Sequence, residues 1–299
     1  MTDRTWTPPQ THEITLADER VLQYSVYGPE DGTRVVMHGG TPSTRWLSGK
    51  LQAQLEQCGI RALAYDRPGY GGSTRQPGRA VVDVVDDVAR LADAVGWDRF
   101  AAWGGSGGGS HVLATAARLP DRVSRCAAVV SGAPIDGDGL DWWEGMSPVN
   151  VEEYTLAQQG EDVYRPLVER LGREVAARVE AGDVWIPPEF EMAEADLELA
   201  RRRLAEPNPG RAEVGRQLWL GGVDGWIDDG IALSKPWGFD VAEITVPVSI
   251  WYGPADVLSP IGHSEWLLTH VPHAERCELS GGHTLTDDDL TAVYTWLAG

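Results

Sequence analysis

Residues 100–118, FAAWGGSGGGSHVLATAAR, contain the stretch that decides the fold. The apolar run at 100–103 predicts a short buried strand, and residues 110–118 are compatible with a helix. Between them, glycines stand two residues before and two residues after Ser106. Glycines at these places remove side chains that would collide in a sharp strand-to-helix turn. Such a turn lifts a serine hydroxyl clear of the sheet, so Ser106 is a candidate nucleophile.

Similar short apolar runs recur on both sides of this stretch and predict a mainly parallel sheet. Runs that end at glycine or proline are typical of strands buried on both faces. Such strand signals cover residues 22–27, 35–37, 60–65, 126–130, 246–252 and 276–279. Helical periods lie between them, for example over 47–55 and 81–95. This alternation predicts an α/β fold with right-handed crossovers.

The alternation breaks after about residue 135, and strand signals resume at Val246. The intervening sequence is acidic and rich in tryptophan, with a second helix over 193–204. Its first amphipathic helix is marked by Val163, Leu167, Leu171 and Val175. The final strand cannot stand alone and must join the N-terminal sheet. We therefore predict a core of residues 1–135 and 237–299, with residues 136–236 inserted as a helical cap.

A nucleophilic serine needs a base, and the base needs an acid that orients it. His283 lies in a glycine-rich loop after the final strand, at the same carboxyl edge of the sheet as Ser106. Asp256 follows the preceding strand and is the predicted orienting acid. Weaker candidates for the acid are Asp240, Asp228 and Asp229. The order serine, aspartate, histidine is the one expected for this kind of fold.

Other histidines receive different roles. We expect His38 to order its own loop by hydrogen bonds rather than to transfer protons, and His111 lies inside the helix after the serine. Exposed positions on or near the penultimate helix are expected for His263, His270 and His273.

An oxyanion that develops on the substrate needs two backbone donors. One is the N–H of Gly107, which follows the candidate nucleophile. The second is expected from the loop after the third strand, where Gly40 is the first choice and Thr41 the alternative.

Composition excludes several classes of partner. The net charge of −20 disfavours binding to nucleic acid or to an anionic membrane surface. Three scattered cysteines, Cys58, Cys126 and Cys277, form neither a disulfide framework nor a zinc spacing. There is no apolar leader and no run long enough for a membrane span. We expect a cytoplasmic monomer or homodimer with no metal, whose partner is a small-molecule substrate.

Taken together, these motifs resemble the α/β-hydrolase superfamily, in the branch with an inserted helical cap. The resemblance rests on His38-Gly39-Gly40, on residues 66–73 (DRPGYGGS), on the turn at Ser106, and on the pair Asp256 and His283. It implies an eight-stranded, mostly parallel sheet, no cofactor and acyl-enzyme chemistry. It also implies that the Asp66 motif braces the loops behind the oxyanion hole. The first two motifs are also similar to proline iminopeptidases, although Thr41-Pro42-Ser43 replaces the Pro-Gly that usually follows there.

The favoured hypothesis is a carboxylesterase-type serine hydrolase that cleaves a small or medium ester, lactone or related acyl substrate through an acyl-enzyme on Ser106. Alternatives are a proline iminopeptidase-like aminopeptidase, a non-hydrolytic lyase or cyclase, and a small-molecule receptor on the same fold. Substrate choice is expected in the cap, where aromatic side chains can line an apolar pocket. The expected substrate-binding residues are Trp142, Trp143 and Trp219, with Trp185 and Trp226 also available.

Overall fold

One eight-stranded sheet organises the molecule, seen in a computed structural model that describes residues 6–184 and 186–299. Its strands are β1 (His12–Thr15), β2 (Val21–Tyr27), β3 (Thr33–His38), β4 (Ile60–Tyr65), β5 (Phe100–Gly105), β6 (Val123–Val129), β7 (Val248–Tyr252) and β8 (Glu275–Glu278). The spatial order is β1-β2-β4-β3-β5-β6-β7-β8. Pairing is antiparallel from β1 to β2 and from β2 to β4, and parallel elsewhere. The predicted α/β fold with a mostly parallel eight-stranded sheet is therefore confirmed.

Helices cover both faces of the sheet, as a parallel sheet requires. The helices that follow β3 to β5 in the chain are α1 (Gly49–Gln57), α2 (Val84–Ala94) and α3 (Gly107–Arg118), and those near the C-terminus are α9 (Ile261–His270) and α10 (Asp287–Ala298). One apolar cluster joins one face to α1 and α10. Another joins the opposite face to α2, α3 and α9. The three layers leave the carboxyl ends of the parallel strands free to carry loops.

Five helices separate β6 from β7 in the chain. They are α4 (Pro148–Gln159), α5 (Glu161–Ala181), α6 (Glu194–Ala205), α7 (Arg211–Gln217) and α8 (Asp224–Leu233). Side chains of α4, α5 and α8 share an apolar cluster of their own. We call residues 136–236 the helical insertion; its status as a separate domain stays a prediction. In the described parts of the chain, no helix combines the length and the apolar character needed to cross a membrane.

Two details of the fold differ from what the pattern indicates. The short strand β1 alternates between half-buried and exposed residues, and its HEIT sequence carries too little apolar character to stand out. In α5 the buried stripe runs through Tyr164, Leu167 and Leu171, whereas Val163 is 45% exposed. Leu167, Leu171 and Val175 are buried as predicted. Only the first position of the expected face differs, because the ring of Tyr164 packs into the apolar cluster in place of Val163.

Candidate active site

Ser106 occupies a strained turn between β5 and α3. Its backbone angles are φ 52° and ψ −126°, a conformation that a residue with a side chain rarely adopts. A Cβ at Gly104 would collide with the carbonyl of Gly108, and a Cβ at Gly108 would collide with the carbonyl of His38. The glycines predicted to be necessary are thus required by backbone packing, and the turn directs the Ser106 side chain toward a cavity that it lines.

Asp256 and His283 form a direct hydrogen-bonded pair. His283 Nδ1 lies 2.8 Å from Asp256 Oδ2. The other carboxylate oxygen, Oδ1, accepts from the backbone N–H groups of Leu258 at 2.8 Å and Ser259 at 3.0 Å. The acid is therefore fixed on both oxygens. Because a carboxylate only accepts, Nδ1 carries the proton in neutral His283 and Nε2 is left as an acceptor.

The structure brings His283 and Ser106 to the wall of one cavity, and Asp256 is hydrogen-bonded to the imidazole of His283 from behind that wall. They arrive from three strand ends, since Ser106 follows β5, Asp256 follows β7 and His283 follows β8. Burial alone would lower the pKa of His283, but the charge and hydrogen bond of Asp256, with a further contribution from Asp196, raise it above its usual value.

The rival acids have other partners. Asp240 accepts from the backbone of Ala242 at the start of a short 3₁₀ turn. Asp228 pairs with Arg75 at 2.8 Å. Asp229 pairs with Arg67 at 2.5 Å and with Arg79. None of the three is hydrogen-bonded to His283 in the described part of the chain, so Asp256 is the acid that the fold brings to the imidazole.

The loop after β3 lies against the serine turn. A Cβ added to Gly40 would stand 3.4 Å from the Cβ of Ser106, and one added to Gly107 would stand 2.5 Å from Thr41 Oγ1. Gly40 and Gly107 thus flank the serine on two sides, where backbone donors for an oxyanion are needed. Their role as donors stays a prediction, as does that of Thr41.

Behind this loop lies a buried charged network. Arg67 donates to the carbonyl oxygens of Gly39 and Gly40 and to the carboxylate of Asp229. Asp229 also accepts from Thr41 Oγ1 at 2.7 Å and from the Tyr70 hydroxyl at 2.8 Å. Burial alone would raise the pKa of Asp229, yet the charges of Arg67 and Arg79 hold it far below its usual value. The Asp66 motif, whose first four residues are DRPG, therefore braces the loop after β3, as the resemblance implies.

Two of the other histidines, His38 and His111, have structural hydrogen bonds close to the serine turn. His38 Nδ1 lies 2.9 Å from the Tyr65 hydroxyl, and burial lowers its pKa well below the usual value. His111 Nδ1 donates to the Gly107 carbonyl at 2.7 Å, and burial together with the nearby Arg67 charge lowers the pKa of His111 to about 3. These neutral side chains hold the loops on either side of Ser106.

The expectation that His263 is exposed is wrong. This residue is 1% exposed, although it lies on α9 as predicted. Its Nδ1 accepts from the N–H of Ala133 at 3.0 Å, and its Nε2 donates to the carbonyl of Trp142 at 2.9 Å. The segment around Trp142, which folds over α9, covers this histidine.

The cavity beside Ser106 has a volume of about 630 Å³. Its wall is mostly aromatic and aliphatic, and helices of the insertion supply much of it. Of the three predicted substrate-binding tryptophans, Trp142 lines this cavity. Trp143 and Trp219 are not among the described residues of the wall, because Trp143 packs edge-on against Trp142 and Trp219 packs against Trp226. Trp226 does line it, while Trp185 lies outside the described residues.

Sequence reasoning missed two acidic residues of the insertion. Glu153 on α4 lies in the cavity wall, and Asp196 on α6 accepts from the backbone of the His283 loop. Each stands on the buried stripe of its helix, Glu153 with Val149 and Ala157, and Asp196 with Leu199. An acid at an apolar-stripe position is the signal that could have identified both residues, because a buried carboxyl needs partners.

Comparisons with known proteins identify the family and agree with the fold. The family model described as "alpha/beta hydrolase fold" matches residues 33–285. A pimeloyl-[acyl-carrier protein] methyl ester esterase of Nitrosomonas europaea is 23% identical over 80% of this chain and 83% of its own. A bifunctional esterase/perhydrolase of Acinetobacter calcoaceticus is 32% identical, but the match spans only 40% of this chain and 44% of the relative. A thermophilic esterase of Thermogutta terrifontis superposes with a TM-score of 0.67 at 20% identity, over 96% of this chain and 98% of that one.

Proposed function

Because the chain belongs to the alpha/beta hydrolase fold family, we propose that it is a carboxylesterase-type serine hydrolase that cleaves a small or medium ester, lactone or related acyl substrate. The observation that carries the proposal is that the strained Ser106 turn and His283, which Asp256 holds by a hydrogen bond, line one cavity. Esterases among the similar proteins support it.

In the proposed reaction, Ser106 Oγ attacks the substrate carbonyl carbon while His283 Nε2 removes the hydroxyl proton. The carbonyl oxygen becomes an oxyanion that accepts hydrogen bonds from the N–H groups of Gly107 and Gly40. When the tetrahedral intermediate collapses, the bond to the leaving oxygen breaks and the protonated imidazole gives that oxygen its proton. Asp256 stabilises the imidazolium throughout.

Deacylation repeats these steps with water. His283 removes a proton from water, the hydroxide oxygen bonds to the acyl carbon, and Ser106 Oγ leaves with the proton that the imidazole returns. The products are the free acid and regenerated enzyme. The substrate, one water molecule and the side chains named here account for every bond and proton in the reaction.

Two measurements test the nucleophile. A fluorophosphonate probe is expected to form one adduct, on Ser106, and Ser106→Ala is expected to lower p-nitrophenyl ester turnover by about 10⁶-fold. The control Ser110→Ala removes another hydroxyl from the cavity wall. It is expected to keep the single adduct on Ser106. Full turnover by Ser106→Ala would contradict the proposal and favour a lyase or cyclase that uses the histidine for proton transfer alone. A folded wild-type protein that forms no adduct would favour a receptor.

A buried carboxyl favours a second candidate, an aminopeptidase-like hydrolase. Glu153 is 7% exposed, and its Oε1 accepts from the Tyr164 hydroxyl at 2.8 Å and from Trp226 Nε1 at 3.0 Å. Both hydrogen bonds are made to Oε1, none to Oε2 is found among the described residues, and Glu153 lines the cavity. Burial raises the pKa of Glu153 to about 7 against the effect of the two hydrogen bonds. A free carboxyl oxygen in a mostly apolar wall suits a protonated amine on the substrate.

This second candidate uses the same chemistry at Ser106 and adds an amine at the far end of the acyl group. The similarity of the His38 and Asp66 motifs to proline iminopeptidases supports it, and the departure at Thr41-Pro42-Ser43 weighs against it.

Paired substrates distinguish the two candidates. If Glu153 binds an amine, Glu153→Gln should lower kcat/KM for an amino acid arylamide by roughly 10-fold to 10²-fold, the range of a charge-assisted hydrogen bond. A neutral p-nitrophenyl ester of equal length should be affected much less. Glu152→Gln, an exposed neighbour on the same helix, is the matched control. If only esters turn over, and equally in both variants, the second candidate is eliminated.

A further inference from the structure

The loop that carries His283 is held from the helical insertion as well as from the sheet. Asp196 Oδ2 accepts from the backbone N–H of His283 at 3.1 Å, and Oδ1 accepts from the N–H of Thr284 at 2.7 Å. Asp196 stands in the first turn of α6 and is only 1% exposed. A buried carboxylate from one part of the fold is therefore shared between two consecutive backbone donors in another part.

Close packing leaves this loop little alternative position. A Cβ on Gly282 would collide with the Asp196 carboxylate, and a Cβ on Gly253, just before Asp256 in the chain, would collide with the carbonyl of Gly282. The loop is thus wedged between α6 and the loop that carries the orienting acid. A second α6 side chain, Arg203, donates to the carbonyl of Leu285 at 2.5 Å.

The two carboxylates hold different parts of His283. Asp256 fixes the imidazole through Nδ1, and Asp196 fixes the backbone from which that imidazole extends. A side chain is only as well placed as its backbone, and small misplacements at a reacting centre are costly in rate. The hydrogen bonds of Asp196 in this loop go to backbone N–H groups and not to the imidazole, so its effect on the chemistry passes through His283.

We propose that Asp196 is a positioning residue through which the helical insertion holds the general base His283 in its working position, so that the base is aligned only while α6 is seated on the core. The inference rests on the proposed function of His283. It gives the insertion a part in the chemical step in addition to its part in forming the substrate cavity.

Charges around His283 make this role measurable. The carboxylates that face it are Asp256, from the loop after β7, and Asp196, from α6, and both raise the pKa of the imidazole against the effect of burial. A cationic side chain of α6, Arg203, also contacts this loop, through the carbonyl of Leu285, and it pairs with Asp287 at 3.3 Å. Removing the charge of Asp196 is therefore expected to move the acidic limb of the pH–rate profile to lower pH.

Two substitutions separate charge from geometry. Asp196→Asn keeps an acceptor for the N–H of Thr284, but it places an NH₂ group opposite the N–H of His283 or loses that contact. Asp196→Ala removes both acceptors. Glu198→Gln is the matched control, because Glu198 is an exposed acid two residues along the same helix.

For a p-nitrophenyl ester, kcat is expected to fall roughly 10-fold to 10²-fold in Asp196→Ala and by a smaller factor in Asp196→Asn, with KM nearly unchanged. In Asp196→Asn the acidic limb should also move to lower pH. Glu198→Gln should match the wild type in both respects. A thermal melt of each variant establishes that it is folded at the assay temperature.

Unchanged kcat in both Asp196 variants would overturn the proposal, as would a change confined to KM, which would make Asp196 a substrate-pocket residue. An NMR titration of the histidine ring protons gives a result independent of activity, with His283→Asn to identify the resonance. A His283 pKa that is the same in wild type and Asp196→Asn would also overturn it. If Ser106→Ala kept full turnover while this pKa still moved, the proposed function would fail but the contact would stand.

Discussion

The backbone at Ser106 is held in its strained conformation by neighbours rather than by its own side chain. Gly104 and Gly108 allow the turn to close, and His283, hydrogen-bonded to Asp256 from a neighbouring strand end, lines the same cavity as Ser106. The identity of these residues could be predicted because each stands at a strand end with a recognisable pattern. Asp196 and Glu153 could not be predicted in the same way, because their roles depend on partners in other segments of the chain.

In the proposed reaction, the protonation of His283 governs the pH dependence. Only neutral His283 can act as a base, and its pKa is raised by Asp256 and Asp196. We therefore expect kcat/KM for a p-nitrophenyl ester to fall as the pH decreases, with its midpoint above the ordinary histidine value of about 6.5. Asp256→Asn should lower this midpoint and reduce kcat by as much as about 10⁴-fold. A profile that stays flat through the titration range of histidine would contradict the assignment of His283.

At the scale of elements, every strand except β1 and most helices could be predicted because their own residues set the pattern. The exposure of Val163 beside the buried Tyr164 and the burial of His263 could not, because each depends on what packs against the helix. The glycines at the start of α3 also depend on other segments: a Cβ on Gly107 or Gly108 would meet the loop after β3, and a Cβ on Gly109 would meet Ser131.

The contact between α3 and that loop predicts a sharp difference between two glycines. A Cβ in Gly108→Ala would collide with the carbonyls of His38 and Gly39, so the loop must shift, at a cost of roughly 1–3 kcal/mol in the free energy of unfolding and with loss of activity. Gly262→Ala, in the first turn of α9, meets only Leu140 at 3.9 Å. That variant should be neutral or stabilised, by up to about 1 kcal/mol. Urea unfolding and ester turnover measure both effects, and equal behaviour of the two variants would refute the steric explanation.

At the scale of the whole molecule, the insertion and the core are joined by buried charges. Asp229, on α8, is bound by Arg67 and Arg79 from the segment after β4, and Arg67 in turn holds the Gly39 and Gly40 carbonyls. The bracing role of the DRPG motif was implied by its resemblance. The resemblance did not identify Asp229, in the insertion, as its partner, because Asp229 is 162 residues from Arg67 in sequence.

Two adjacent acids on α8 should therefore respond differently to removal of their charge. Asp229→Asn leaves two buried arginines without their carboxylate and should destabilise the fold by about 3–5 kcal/mol at neutral pH. Asp228→Asn should cost about 1 kcal/mol or less, because the pKa of Asp228 is raised by burial and its partner Arg75 is partly exposed. Chemical denaturation at pH 7 measures both.

The pH dependence gives a check on the same pair. The pKa of Asp229 is lower in the folded than in the unfolded protein, so its contribution is present above an unfolded value of about 3.9 and disappears as the pH falls through the folded value. The stability difference between wild type and Asp229→Asn should therefore shrink in acid. Equal losses of stability for the two variants at pH 7 would show that the buried network around Asp229 contributes no more than the partly exposed Asp228–Arg75 pair.

The attachments of Asp196 and Asp229 limit how freely this molecule could be re-engineered. One carboxylate holds the base-bearing loop and the other holds the brace behind the oxyanion loop, and both come from residues 136–236. A chimaera that received the corresponding segment of a different hydrolase would lose both anchors unless acids were rebuilt at the equivalent places. Exchange of this segment would therefore change substrate range and turnover at the same time. We expect new specificity to be obtained more readily by point substitutions in the cavity wall than by exchange of the segment.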